Sequence, residues 1–279
     1  MTDLKPGQSV ELLKELHILT RDGKMNQDSR RKLKQVYHLY NFIEPLLSGL
    51  TNNLIQSNKV PISLVDHGAG KSYLGFILYD LFFKKLNSEF HIYGIENRKE
   101  LIEKSLMLQK KLNFKHMSFI NSSVNESKTS TLLPEHVDLV TALHACDTAT
   151  DDAISFALYK KAQHIVLVPC CQAEVSALLR QNKKFSLANP LVELYRHALH
   201  TREFGSHLTN VLRCLLLEAH GYEVTVTELV GYEHSMKNEL IIATLPPQKS
   251  NSAKKANERI KAILSEFKIQ ELSHRFNNF

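Results

Sequence analysis

The segment that leaves the fewest folds open is Ile62-Ser63-Leu64-Val65-Asp66-His67-Gly68-Ala69-Gly70-Lys71-Ser72. A short apolar run ends in an acid, passes through two glycines one residue apart, and enters a stretch with helical spacing over about residues 71–85. A strand that turns through glycines into a helix is the opening of a βα unit. The glycines permit positive φ and let a ligand lie against bare backbone. The helix that follows presents free N–H groups to an anion.

The rest of the sequence repeats this unit. Strand-like runs at 91–95, 117–120, 137–143 and 164–168 alternate with helical stretches at 98–112, 150–160, 172–181, 190–202 and 207–219. Alternation of this kind predicts a parallel sheet with right-handed crossovers. The last two strands, 222–229 and 239–245, are too close in sequence for a crossover helix and should pair antiparallel. Upstream, residues 8–20 and a second segment from Asp28 or Ser29 to about 50 have helical periodicity. The second carries Leu33, Val36, Tyr37, Tyr40, Ile43 and Leu47 on one face. Residues 246–252 read as a linker, and 255–275 as an amphipathic tail helix with Ile260, Ile263, Leu264, Phe267 and Leu272. The expected division is a helical region 1–58, an α/β domain 59–246, and a linker with a C-terminal helix 247–279.

Hydrophobic residues make up 43% of the 279, enough for a sizeable core, and no apolar run approaches the roughly 20 residues of a membrane span. The start of the chain has no apolar segment of the signal-peptide kind. The four cysteines, Cys146, Cys170, Cys171 and Cys214, do not form a disulfide framework. These features predict a cytoplasmic protein. The net charge of +6 favours an anionic partner without requiring one.

Three ligands use a glycine turn of this type. A dinucleotide fingerprint needs a third glycine where Tyr73 stands, and a P-loop needs its first glycine where Val65 stands. S-adenosylmethionine (SAM), which is cationic at its sulfonium and ammonium and anionic at its carboxylate, remains. Asp66 would attract the ammonium, directly or through water. Gly68 and Gly70 would back the methionine moiety, and Lys71 would pair with its carboxylate. Glu96, at the end of the second strand, would accept from both ribose hydroxyls with help from Asn97. Asn121 and Ser122, after the third strand, would meet the adenine, and Leu143, at the end of the fourth, is counted with them.

The loop after the fourth strand would lie beside the transferable methyl. It contributes His144, Cys146 and Asp147 as candidates for positioning the acceptor or taking its proton. Thr150, Asp151 and Asp152 suit a helix cap and first turn. His144, Cys146, Cys170 and Cys171 lack zinc-ligand spacing, so no metal is expected. The start of the last strand should share this face and bring Glu233, His234, Lys237 and Asn238 near the mouth. Arg30, Arg31 and Lys34 on the second helix, and Arg202 and Arg213 with His197, His200 and His207 before the sixth strand, are candidates for binding RNA phosphates. The plain alternative is that these are solvated helix faces.

Three blocks, Val65-Asp66-His67-Gly68-Ala69-Gly70-Lys71-Ser72-Tyr73-Leu74, Ala142-Leu143-His144-Ala145-Cys146-Asp147-x-Ala149-Thr150-Asp151 and Val168-Pro169-Cys170-Cys171-Gln172, together resemble a family of class I SAM methyltransferases. It has bacterial members and eukaryotic relatives named for a ribosomal RNA adenine dimethylase domain, and is more distantly similar to tRNA 2′-O-methyltransferases. The resemblance spans about residues 59–245. It implies an α/β fold with a seven-stranded Rossmann-like sheet, last strand antiparallel, flanked by N-terminal helices and a C-terminal tail helix. It also implies SAM binding through Asp66, Gly68, Gly70 and Glu96. Ser72 after Lys71 and Asp147 after Cys146 depart from related motif blocks. The expected activity is methyl transfer from SAM, with RNA the favoured acceptor. A protein or small-molecule acceptor, or a non-catalytic nucleic-acid-binding module on the same fold, are the alternatives.

Overall fold

The computed structural model describes residues 4–57, 61–86, 89–143, 147–169, 172–182, 190–229, 239–247 and 253–276. Two helices, α1 (Val10–Glu15) and α2 (Gln27–Ser57), precede an alternating series: β1 (Ile62–His67), α3 (Tyr73–Leu81), β2 (Phe90–Glu96), α4 (Lys99–Leu112), β3 (Met117–Asn121), α5 (Val124–Thr129), β4 (Leu139–Leu143), α6 (Thr148–Tyr159), β5 (His164–Val168) and α7 (Glu174–Gln181). Then come α8 (Ala198–Ala219), β6 (Glu223–Glu228), β7 (Glu239–Thr244), α9 (Ala253–Glu266) and α10 (Ser273–Phe276).

The strands form one seven-stranded sheet in the order β3-β2-β1-β4-β5-β7-β6. β7 runs antiparallel to both β5 and β6, as the short connection between the last two strands implies. The other pairs are parallel. Chain order reverses at β1, between β2 and β4, so the glycine turn stands at the topological switch point of the sheet.

Both faces of the central strands are buried, which is why they are near-continuous apolar runs. Alternate residues feed opposite layers. Val65, Val140, Ile165 and Leu167 join a cluster with α6, α8 and α9. Leu64, Leu139, Val166 and Val168 join a second cluster with α1, α2 and α3. The N-terminal helices thus share a core with the sheet through Leu12, Leu13, Ile43 and Leu47, all fully buried. That packing carries α2 past Pro45 to Ser57, beyond the expected end near residue 50.

Several boundaries differ from the sequence expectation. The third helix begins at Tyr73 rather than 71, because Gly70 (φ 58°) and Ser72 (φ 52°) hold the preceding turn in left-handed geometry. The expected pair of helices at 190–202 and 207–219 is a 3₁₀ turn (Pro190–Tyr195) followed by the single α8. Gly205 does not interrupt α8; it is where α7 approaches, and a Cβ there would lie 2.8 Å from the backbone N of Ser176. Helix α5 was not foreseen, although Ser123 and Glu126 form a reciprocal capping box at its start. The tail is two helices broken at Lys268 (φ 53°), and its Ala256, Ile260, Leu264, Leu272 and Phe276 are buried in the α6–α8 cluster. Among the described residues no helix is long and apolar enough to cross a membrane.

Candidate active site

The turn after β1 is held by backbone hydrogen bonds, with Ala69 N–H donating to the Ile95 carbonyl (2.9 Å) and Ser72 N–H to Ala69 (2.7 Å). Gly68 (φ 66°) is exposed, and a Cβ built on it would meet nothing within 4 Å. The turn therefore presents bare backbone to an open side, the cradle that a ligand lying on main chain requires. Gly70 N–H donates to Glu96 Oε2 at 2.8 Å, so the acid ending β2 is tied directly to the turn ending β1.

Glu96 is 5% exposed and accepts further bonds at Oε1 from the backbone N–H groups of Asn97 and Arg98 (3.1 Å each). The Arg98 guanidinium adds Nε to Oε1 (2.9 Å) and Nη2 to Oε2 (3.1 Å). Burial alone would raise the Glu96 pKa. The Arg98 guanidinium and N–H and the Gly70 N–H outweigh it and hold the carboxyl below its ordinary value. Sequence reading missed Arg98; its place two residues after the acid was the only signal.

Asp66 does not face outward. It is 2% exposed, with Oδ1 accepting from Thr141 Oγ1 (3.0 Å) and Oδ2 from Ser72 Oγ (3.4 Å). Burial pushes its pKa up to about 6, against the pull of Thr141, Ser72 and the Gly75 N–H; the charge of Glu96 pushes the same way as burial. Its geometry is that of a pin holding the turn to β4. The side chain expected to attract an ammonium, directly or through water, is thus engaged inside the protein. His67, on the opposite face of β1, is also buried, with its ring 5.3 Å from that of Phe156. Neither ring nitrogen has a hydrogen-bond partner, and burial lowers its pKa to about 4.

Of the remaining cofactor candidates, Lys71 and Asn97 are exposed at the rim and Leu143 is half-buried at the end of β4. Asn121 Nδ2 (3.0 Å) and Ser122 N–H (3.3 Å) both donate to the Glu96 carbonyl, so the β3 loop converges on the same acid. Nine of the sequence candidates thus stand at the C-terminal ends of β1 to β4 or in the loops that follow: Asp66, Gly68, Gly70, Lys71, Glu96, Asn97, Asn121, Ser122 and Leu143.

On the acceptor side, His144, Cys146, Cys170, Cys171, Glu233, His234, Lys237 and Asn238 lie outside the described residues. Asp147 (φ 49°, ψ −120°) is strained, and its Oδ1 accepts from Ala173 N–H at 3.2 Å, joining the chain after β4 to the chain after β5. Asp151 lies in the first turn of α6, as expected, but its carboxylate faces inward. It takes a bidentate pair from Arg213, Nε to Oδ1 at 2.6 Å and Nη2 to Oδ2 at 3.0 Å. Arg213 also donates to the Asp147 carbonyl (2.8 Å) and Asn210 Oδ1 (3.1 Å), and its side chain is 0% exposed. The expectation that Arg213 joins a basic surface is therefore corrected: its charge is consumed inside the protein. Arg30, Arg31, Lys34 and Arg202 are exposed, with Arg31 near Asp28 (3.8 Å) and Arg202 paired to Glu203 (2.8 Å). Among the described residues no group of three or more His, Cys, Asp or Glu side chains is arranged to hold a metal.

A family model described as a methyltransferase domain matches residues 31–178, just over half of the chain. The chain belongs to this family. It is a methyltransferase, of a SAM-dependent kind. No curated protein matches the methyltransferase. Solved structures similar to it include the magnesium protoporphyrin IX methyltransferase of Synechocystis PCC 6803 with bound SAH (14% identity, 86% of this chain and 96% of that one, TM-score 0.45). A SAM-dependent methyltransferase from Aquifex aeolicus is 16% identical over 70% and 89% of the two chains (TM-score 0.41). An rRNA methylase from Streptococcus thermophilus is 8% identical over 66% and 87% (TM-score 0.40).

Proposed function

We propose that this methyltransferase transfers the methyl group of SAM to RNA, holding the donor in the cleft between the β1 turn and Glu96. The observation that carries the donor site is the 2.8 Å bond from Gly70 N–H to Glu96, which joins an open glycine turn to a buried, charged acid. The residues fit the donor. Gly68 and Gly70 would back its methionine part, Lys71 would pair with its carboxylate, and Glu96 would take the ribose hydroxyls. Asn121, Ser122 and Leu143 would border the adenine, and Asn97 stands beside the acid.

The donor supplies an electrophilic methyl on a sulfonium, which an acceptor lone pair displaces in line. Alignment is the chief contribution such an enzyme makes. His144, Cys146 and Asp147, in the chain leaving β4, are the candidates for orienting the acceptor or removing its proton. The bond from Ala173 N–H to Asp147 supports a fixed entry to that side.

RNA as acceptor is supported by exposed cations at Arg30, Arg31, Lys34 and Arg202. A cavity of about 400 Å³ between α1, α4 and the start of α3 is lined by Lys71 and Lys104, while its third lysine, Lys111, is paired with Glu15 and Glu11. Neutralised phosphates release counterions, so affinity should fall steeply with salt.

Calorimetric titration with SAM and S-adenosylhomocysteine (SAH) tests the donor: heat from both is expected, and silence from both at high micromolar concentration would defeat it. For the acceptor, tritiated methyl transfer to total RNA from a deletion strain should exceed transfer to wild-type RNA. Equal transfer to the two removes RNA and leaves a protein or small molecule. RNA binding with no SAM binding would instead indicate a non-catalytic module.

A further inference from the structure

The Glu96 carboxylate receives five hydrogen bonds, three from backbone N–H groups of Gly70, Asn97 and Arg98 and two from the Arg98 guanidinium. A carboxylate offers about four lone-pair positions, so this one has no capacity to spare. A ribose brings two hydroxyl donors to such an acid. The backbone bonds are built into the turn and the start of α4. The two guanidinium bonds come from a side chain that is 58% exposed and held by no core packing that its departure would break. Its Nη2 also lies 3.9 Å from where a Cβ on Gly70 would sit, over the face of the turn.

We infer that Arg98 is a displaceable stand-in for the ribose, a residue that competes with the donor for Glu96 and thereby sets its affinity. This rests on the SAM reading of the cleft. The guanidinium fork presents two parallel donors to the two carboxylate oxygens. While it is in place it keeps the buried acid compensated. When the donor binds, two O–H donors replace two N–H donors, and Arg98 swings out as a free cation. The donor carries a net positive charge, from sulfonium and ammonium against one carboxylate. A nearby guanidinium therefore opposes SAM by charge as well as by occupancy. SAH has no sulfonium charge and meets only the occupancy.

The test is calorimetric titration of the full chain and its Arg98→Ala and Arg98→Lys variants with SAM and SAH at one ionic strength. Arg98→Ala should bind SAM about three- to fivefold more tightly, the scale of an exposed ion pair. SAH should gain less, about twofold on the same scale. Arg98→Lys, which keeps the charge and loses the fork, should fall between. Glu96→Gln should weaken both ligands in either background. Unchanged or weaker SAM binding by Arg98→Ala, with wild type binding normally, overturns the inference and makes Arg98 a bystander or a donor contact. Silence from wild type and every variant overturns the SAM reading itself, and silence from wild type with binding by Arg98→Ala supports both.

Discussion

Replacing Arg213 with methionine should destabilise the protein severely and leave any affinity for the proposed RNA acceptor alone. The guanidinium is fully buried and makes four hydrogen bonds: two to Asp151 (2.6 and 3.0 Å), one to Asn210 (3.1 Å) and one to the Asp147 carbonyl (2.8 Å). Methionine has nearly the same length, so the cavity contribution is small. The dominant effect is a carboxylate left inside with one remaining cation, Arg275, at 3.5 Å. Breaking a buried pair from one side costs about 3–5 kcal/mol. A chain of this size loses about 2–4 °C of melting temperature per kcal/mol, so the drop should be roughly 10 °C. Urea unfolding followed by circular dichroism measures the free energy, and a thermal scan measures the shift. The companion variant is Arg213→Met with Asp151→Leu. Removing both charges should restore most of the loss, because the desolvation of Asp151 disappears with it. A single variant melting within about 2 °C of wild type, or a double variant no better than the single, would refute the reasoning. So would a single variant that keeps its stability and loses RNA affinity, since that result belongs to an exposed cation.

Two buried groups on β1 give opposite pH signatures. His67 titrates near 4 in the folded protein against 6.5 ordinarily, so stability is lost as pH falls from about 6.5 toward 4. His67→Phe, which suits the neighbouring Phe156 ring and removes two unpartnered nitrogens, should flatten that loss of about 3 kcal/mol in urea unfolding across this range. Asp66 titrates near 6 against 3.8, so the folded state holds its proton longer and stability falls as pH rises from about 4 to 6. The stability of Asp66→Asn relative to wild type should therefore climb over that range and level off above it; a flat difference would show that the carboxyl is not desolvated. Ile260→Ala, fully buried in α9, should cost about 2–5 kcal/mol in the same assay, as for any core position. A loss under 1 kcal/mol would mean that the tail helix is not part of the core.

The sheet was legible because its physics is local. Strands buried on both faces are apolar at most positions, and helices between them carry 3.6-residue periodicity. The antiparallel placement of β7 follows from chain length alone, since the ten residues between β6 and β7 leave no room for a crossover of the usual size. Helix ends were harder. The start of α3 depends on Ser72 adopting φ 52°, a cost that no propensity scale assigns to serine and that burial against Asp66 offsets. The tail break at Lys268 is of the same kind, with a left-handed lysine where periodicity favours a continued helix.

The site divides along the same line. The placement of Glu96 and the glycine turn at neighbouring strand ends is legible because each is read from one short segment, the end of a strand and the residues that follow it. The partners that define their chemistry come from elsewhere in the chain. Asp66 is turned inward by Thr141, 75 positions away, and Asp151 is claimed by Arg213, 62 positions away. A basic residue on a helix and an acid in a first turn have surface roles as their default. Only the three-dimensional register of α6 against α8 converts this pair into a buried one. Arg98 is the intermediate case. It is two residues from Glu96, yet the sequence alone does not say whether its side chain points to solvent or back over the acid. The distinction matters for the proposed donor site, because one arrangement would leave Glu96 open to a ribose and the other would make donor binding an exchange.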